Sequence, residues 1–190
     1  MGILAHVDAG KTTLTERLLY AAGVIDAIGS VDEGTTQTDA LALERERGIT
    51  IKSAVVSFEV AGVTVNLIDT PGHPDFIAEV ERVLSLLDGA VLVISAVEGV
   101  QPQTRVLMRA LRRLNVPTLL FINKIDRGGA DPDRVLAAIR ARLIDAIIPM
   151  GTVAAAGTRR ARFAPHPPSG PDVVETLAAG SDALLAAYVE

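Results

Sequence analysis

The sequence predicts an α/β fold: a mostly parallel sheet with helices on both faces and one antiparallel hairpin at its edge. Three observations predict it. Short β-branched apolar runs recur along the chain, helix-period segments separate most of them, and the run 90–96 is apolar throughout but for one serine, as in a strand covered on both faces. Taken in order, the pattern reads βα(ββ)αβαβα. In open sheets of this kind, ligands bind at the carboxyl ends of the strands.

Residues 3–7 form the first strand candidate. The helix 12–22 follows, with Leu14, Leu18 and Ala22 spaced four apart and Gly23 placed for a left-handed C-terminal cap. Residues 29–48 are polar and lack a clean period, which reads as a long surface loop with a short helix around 41–45; loops of that length are usually functional or disordered. Residues 51–60 and 63–69 are strands joined at Ala61-Gly62, a hairpin signature. The helix 74–87 puts Phe76, Val80, Val83, Leu84 and Leu87 on one face ahead of the strand 90–96. A second helix over 102–114 turns Val106, Ala110, Leu111 and Leu114 inward, and the strand 118–122 follows it. Asp131-Pro132 supplies an N-cap and an N1 proline for a third, whose inward residues are Val135, Leu136, Ile139 and Leu143. Beyond Ile148 the composition shifts to Ala, Gly, Pro and Arg; 149–172 reads as linker or the start of an inserted subdomain, and 181–190 as a helix.

Composition narrows the function classes. With 190 residues, 49% hydrophobic and 22% charged, the chain has material for a core and is no disordered polymer. The absence of cysteine excludes disulfide scaffolds, thiolate zinc sites and cysteine nucleophiles. A net charge of −5 argues against DNA binding through a basic field. No run approaches the roughly 20 apolar residues of a membrane span, and the N-terminus lacks a signal peptide's basic region, so the reading is a cytoplasmic protein without membrane contact.

The chemistry lies at the strand ends. Ala5-His6-Val7-Asp8-Ala9-Gly10-Lys11-Thr12 matches a phosphate-binding loop between a strand and a helix, the setting that motif requires. The run Asp8, Ala9, Gly10, Lys11, Thr12 and Thr13 would take the phosphates: backbone N–H groups point at them, Lys11 bridges β and γ, and the Thr12 hydroxyl ligates Mg²⁺. Asp69 closes a strand and opens Asp69-Thr70-Pro71-Gly72-His73; a carboxylate there holds Mg²⁺ through water, and the Gly72 N–H can approach a γ-phosphate. His73 stands two residues before Asp75, but with three histidines and no cysteine in the chain it reads as a water-positioning residue rather than a metal ligand. Thr50, in Arg47-Gly48-Ile49-Thr50, is placed to put a hydroxyl on Mg²⁺ and order the long loop with the triphosphate. Asn123-Lys124-Ile125-Asp126 follows the strand 118–122, and an aspartate there accepts two N–H bonds from guanine, a donor pair adenine lacks. Lys11, Asp69 and Asn123 in this order, each at a predicted strand end, make the fold a P-loop NTPase that selects GTP. The arginines 109, 112 and 113 read as a solvated helix face, and 159, 160 and 162 as a surface loop.

From Ile3 to Asp131 the sequence resembles the GTPase domain of translational GTPases of the elongation factor G class. The run from Gly29 to Asp39, the run Leu43-Glu44-Arg45-Glu46-Arg47-Gly48-Ile49-Thr50-Ile51 and Asn123-Lys124-Ile125-Asp126 are similar to the tetracycline-resistance ribosomal protection proteins. The resemblance implies ribosome-stimulated GTP hydrolysis with GTP/GDP and Mg²⁺ as ligands and the ribosome as partner. It also implies that His73 orients the attacking water once ribosomal RNA positions it, that Val7 and Ile49 form an apolar gate, and that Thr12 and Thr50 ligate Mg²⁺. Two departures stand out: Met1-Gly2 replaces the residues that usually precede Ile3, and no Ser-Ala-Leu or Ser-Ala-Lys follows Asp126. The expected organisation is a GTP-binding domain over 1–148 lacking its last strand and helix, with 149–190 the start of an inserted subdomain or a linker with a terminal helix. The rival reading is a truncated, non-catalytic remnant that binds nucleotide weakly, or the equivalent domain of another elongation factor G-type translation factor.

Overall fold

A computed structural model describes residues 1–29, 54–60, 62–69, 83–167, 173–176 and 186. The expected loop over 29–48 beyond its first residue, most of the helix 74–87 and nearly all of the helix 181–190 lie outside the described residues.

Five strands form one sheet: β1 (Gly2–Ala5), β2 (Ala54–Val60), β3 (Val63–Asp69), β4 (Ala90–Ser95) and β5 (Thr118–Asn123). Their spatial order is β2-β3-β1-β4-β5, with β2 antiparallel to β3 and the remaining pairs parallel. This is the expected mostly parallel sheet with one antiparallel edge hairpin. Gly62 turns that hairpin at a φ of 78°, and Val60 pairs with Val63 across it. Parallel strands need crossovers, and α1 (Lys11–Ala21) and α2 (Pro102–Arg113) are helices in such connecting segments, while α3 (Pro132–Arg142) follows β5.

Because side chains alternate along a strand, β1 and β4 feed two cores. Leu4, Leu92 and Ile94 pack with Leu107, Leu111, Val135 and Ile139 of α2 and α3. Ile3, Ala5, Val91 and Val93 pack on the opposite face with Leu19 of α1. β4 is buried along its whole length, as its apolar run requires. β5 is the outermost strand on its side among the described residues, and its Leu119 and Phe121 are 47% and 37% exposed.

The helix ends follow local sequence chemistry. Asp131 Oδ1 accepts the Arg134 N–H at 2.9 Å with Pro132 at the first position of α3. α1 ends in a Schellman arrangement, Gly23 N–H to Tyr20 O at 3.0 Å and Val24 N–H to Leu19 O at 2.9 Å, with Gly23 at a φ of 70°.

The inward faces of two helices differ from the expected ones. α1 buries Lys11, Thr15, Glu16 and Leu19, while Leu14 and Leu18 are only partly covered at the margin of the second core. α2 buries Leu107, Met108, Ala110 and Leu111, leaving Val106 and Leu114 exposed. A four-residue spacing drifts about 40° per step around a helix of 3.6 residues per turn, so a long four-spaced stripe rotates out of the interface. α3 buries Val135 and Ile139 as its spacing predicts, with Leu143 buried at its C-cap, whereas Leu136, also expected inward, is only partly covered. The first strand is shorter than expected, because residues 6–8 leave the sheet to form a loop.

Residues 149–172 contain an antiparallel hairpin of β6 (Gly151–Ala154) and β7 (Arg162–Pro165). Its sequence has little β signal, since Val153 and its cross-strand partner Phe163 are the only β-favouring apolar pair. Gly151 is required there: a Cβ would collide with the Phe163 ring and the Ala164 carbonyl. The tip is tied back to the loop that leaves β5 by the Gly157 N–H, which donates to the Ile125 carbonyl at 2.8 Å.

Candidate nucleotide-binding site

The carboxyl ends of β1, β3, β4 and β5 lie side by side, and the motif residues stand on the loops that leave them. β1 ends at Ala5, and α1 begins at Lys11 after a five-residue loop. The Ala9 N–H donates to the His6 carbonyl at 3.2 Å, closing a turn in that loop. Gly10 enters the helix at a φ of 90°, where a Cβ would strike the Asn123 amide, so the motif glycine has both a conformational and a steric reason. Asp8 holds a φ of 61°, a left-handed conformation that costs free energy outside glycine and concentrates at functional loops.

Lys11 is 7% exposed at the amino end of α1, Thr12 follows half-buried, and Thr13 is exposed. A buried ammonium next to the unsatisfied N–H groups of a helix start is a concentration of positive potential suited to an anion. Asp69 is the last residue of β3 and stands in register with Ile3 of β1, at the same sheet edge as the loop. Thr50, Gly72 and His73 lie outside the described residues.

The second loop leaves β5. Asn123 donates from Nδ2 to the Ala9 carbonyl at 2.9 Å, with the Gly10 carbonyl at 3.5 Å, so the two loops are joined directly. Lys124 takes a φ of 60°, and its ammonium lies 3.6 Å from Glu98 Oε1. Asp126 is exposed two residues on, free of the sheet and open to a ligand. The Arg127 N–H closes that turn on the Lys124 carbonyl at 3.2 Å. On the intervening β4 loop, Ser95 Oγ accepts the Val97 and Glu98 N–H groups at 3.1 and 3.3 Å, which fixes the loop that carries Glu98.

The structure thus brings the loop carrying Asp8, Ala9, Gly10 and Lys11 beside the loop carrying Asn123 and Lys124, two loops far apart in sequence joined by the Asn123 amide. Motif reading alone does not assign three further residues. Glu16, fully buried, accepts the Gly29 N–H at 3.0 Å and ties the segment after α1 back to the helix. Glu98 pairs with the lysine of the second loop. His6 is 6% exposed, with Nδ1 2.8 Å from the Val7 carbonyl, and burial holds its pKa below the ordinary histidine value. Its place inside the phosphate loop is the signal that could have found it; the other two depend on long-range packing.

Comparison with known proteins agrees with this geometry. The sequence model of the elongation factor Tu GTP binding domain matches residues 1–181. The chain belongs to this GTP-binding domain family. Within the family, it is 65% identical over a 195-residue alignment to the oxytetracycline resistance protein of Streptomyces rimosus, covering 100% of this chain and 29% of that protein. It is 59% identical to the tetracycline resistance protein TetM of Streptomyces lividans over 190 residues, 100% of this chain and 30% of the relative. A solved structure from Thermus thermophilus superposes with a TM-score of 0.83 at 30% identity, over 99% of this chain and 32% of that one. The chain therefore spans about 30% of the length of these relatives. The family match agrees with the translational GTPase resemblance and with its resistance-protein branch.

Proposed function

We propose that this chain is the part of a tetracycline-resistance GTPase that binds guanine nucleotide with Mg²⁺ and hydrolyses GTP when the ribosome stimulates it, in the cytoplasm. The observation that carries the reading is the Asn123 amide on the Ala9 carbonyl, because it locks a phosphate loop and a guanine-type loop into one site. Residues 1–148 serve as the nucleotide-binding unit, with 149–190 an attached segment tethered through Gly157.

In this reading Asp126 accepts the guanine N–H groups, and Lys124 lies along the base while its ammonium is held by Glu98. Lys11 and the N–H groups of residues 8–13 neutralise the phosphates, so that charge developing on the leaving diphosphate meets donors already in place. Thr12, with Asp69 and Thr50, would hold Mg²⁺, which supplies charge neutralisation at the β- and γ-oxygens when bound. His73 orients the attacking water, and Gly72 offers its N–H to the γ-phosphate. Intrinsic turnover is slow, since in comparable switches a partner supplies about 10³ to 10⁵ in rate.

Titration with fluorescent GDP and GTP in Mg²⁺ tests the reading, with Asp126→Asn as control. Saturable binding that this change shifts from guanine toward xanthine supports it. Absence of saturable binding by a cooperatively folded chain favours the non-catalytic reading, which draws on the exposed Leu119 and Phe121 of the outermost strand. His73→Ala is expected to leave nucleotide binding nearly intact and to abolish ribosome-stimulated hydrolysis.

A further inference from the structure

His6 is a buried polar side chain inside the phosphate loop for which the proposed reading has no task. A carbonyl oxygen only accepts, so the 2.8 Å contact between Nδ1 and Val7 O places the ring proton on Nδ1 and leaves Nε2 bare in the neutral ring. Nε2 is buried and has no hydrogen-bond partner among the described residues. The opposite tautomer would set a lone pair against the carbonyl and bury an unsatisfied donor as well, which is the costlier arrangement. Among nearby charges, the Glu98 and Asp8 carboxylates favour the charged ring and the Lys124 ammonium opposes it, while burial disfavours it most.

The consequence reaches the backbone. In a trans peptide the C=O and N–H point in opposite directions, and no cis bond occurs among the described residues. Holding the Val7 carbonyl against the buried ring therefore turns the Asp8 N–H the other way, away from the interior. Asp8 needs such a restraint, because its φ of 61° is unfavourable for a residue with a side chain. The His6 carbonyl meanwhile accepts the Ala9 N–H at 3.2 Å, so one residue fixes both sides of the turn.

We propose that His6 is a positioning residue of the phosphate loop: its Nδ1–H holds the Val7 carbonyl and so presents the Asp8 N–H to the phosphates of the nucleotide. The proposal rests on the guanine-nucleotide reading above. A histidine that merely fills space would contribute volume but no directed donor.

Two amide substitutions separate these roles. In His6→Asn the side-chain N–H₂ occupies the place of Nδ1 and can still donate to Val7 O, whereas in His6→Gln it reaches past that carbonyl. The dissociation constant for fluorescent GDP is expected to stay within about threefold of the parent in His6→Asn and to rise about tenfold in His6→Gln, the scale of one lost directed hydrogen bond. Equal weakening in both variants, or no weakening in either, overturns the proposal while leaving nucleotide binding by the parent chain in place. A parent chain that does not bind GDP overturns the nucleotide reading, and this inference with it. Should neither variant fold cooperatively, ¹⁵N NMR of the parent chain decides: a protonated Nδ1 with a bare Nε2 at neutral pH supports the assignment, and a protonated Nε2 refutes it.

Discussion

The two faces of the sheet are built by different rules. Toward α2 and α3 the interface buries no ionisable side chain among the described residues: Leu92, Ile94, Leu107, Leu111, Val135 and Ile139 interlock, and the buried polar residue of α2 is Thr104 in its first turn. Toward α1 the same strands meet a helix whose buried residues include Lys11, Thr15 and Glu16 beside Leu19. Burying ionisable groups is costly unless each has partners, so a helix that does so is not optimised for adhesion alone. The difference teaches that one face anchors the sheet through apolar packing while the other, continuous with the candidate phosphate loop, admits buried ionisable side chains.

The largest effect that should sharpen this contrast is on the apolar face. Leu111→Ala is expected to destabilise the chain by about 3 kcal/mol in urea unfolding, through lost burial and the cavity left behind, while GDP affinity at a stable temperature is unchanged. Loss of nucleotide affinity in that variant would mean that the faces are not separable. Next comes the junction of the two loops: Asn123→Ala removes the amide on the Ala9 carbonyl, and GDP affinity should fall about tenfold, or about 1.4 kcal/mol. Its unfolding midpoint should move much less than that of Leu111→Ala. The smallest effect is a pH dependence of stability from His6. Burial lowers its folded pKa, so the unfolded chain takes up a proton first as the solution is acidified. The stabilisation is therefore complete above the ordinary histidine pKa of about 6.5 and is lost below it as pH falls toward the folded value. Melting temperatures of the parent chain and His6→Asn, compared at neutral and mildly acidic pH, should converge as pH falls; parallel curves would deny the buried histidine this role.

Much of this was legible along the chain, and the reason differs by element. The Asp131-Pro132 start of α3 and the Gly23 end of α1 are local: the cap oxygen, the fixed proline φ and the left-handed glycine act within one turn. The strand 90–96 was legible because a strand buried on both faces shows as a continuous apolar run. The buried face of α1 was not, because Leu14 and Leu18 attract the eye while the covered positions are Thr15, Glu16 and Leu19. The hairpin of β6 and β7 is not legible for a related reason: its pairing depends on Gly151 admitting the Phe163 ring and on the tether from Gly157 to Ile125, neither of which leaves a periodic trace. The nucleotide motifs are legible as residues, but the motif marks Asn123 only as part of a base-recognition loop, and its hydrogen bond to the phosphate loop leaves no local signal.

By itself the sequence determined the order and type of the described elements from β1 to α3 and the placing of the Lys11, Asp69 and Asn123 motifs after strands. Hydrophobic period, proline, glycine and capping residues act over a few positions, so these features can be read locally. Only the tertiary structure decided the strand order β2-β3-β1-β4-β5, the burial of Lys11 and Glu16, the pairing of Glu98 with Lys124 and the bond of His6 within its loop. It also joined Asn123 to Ala9 across 114 residues. Contacts of that separation depend on which strand lies beside which, and no local propensity encodes that choice.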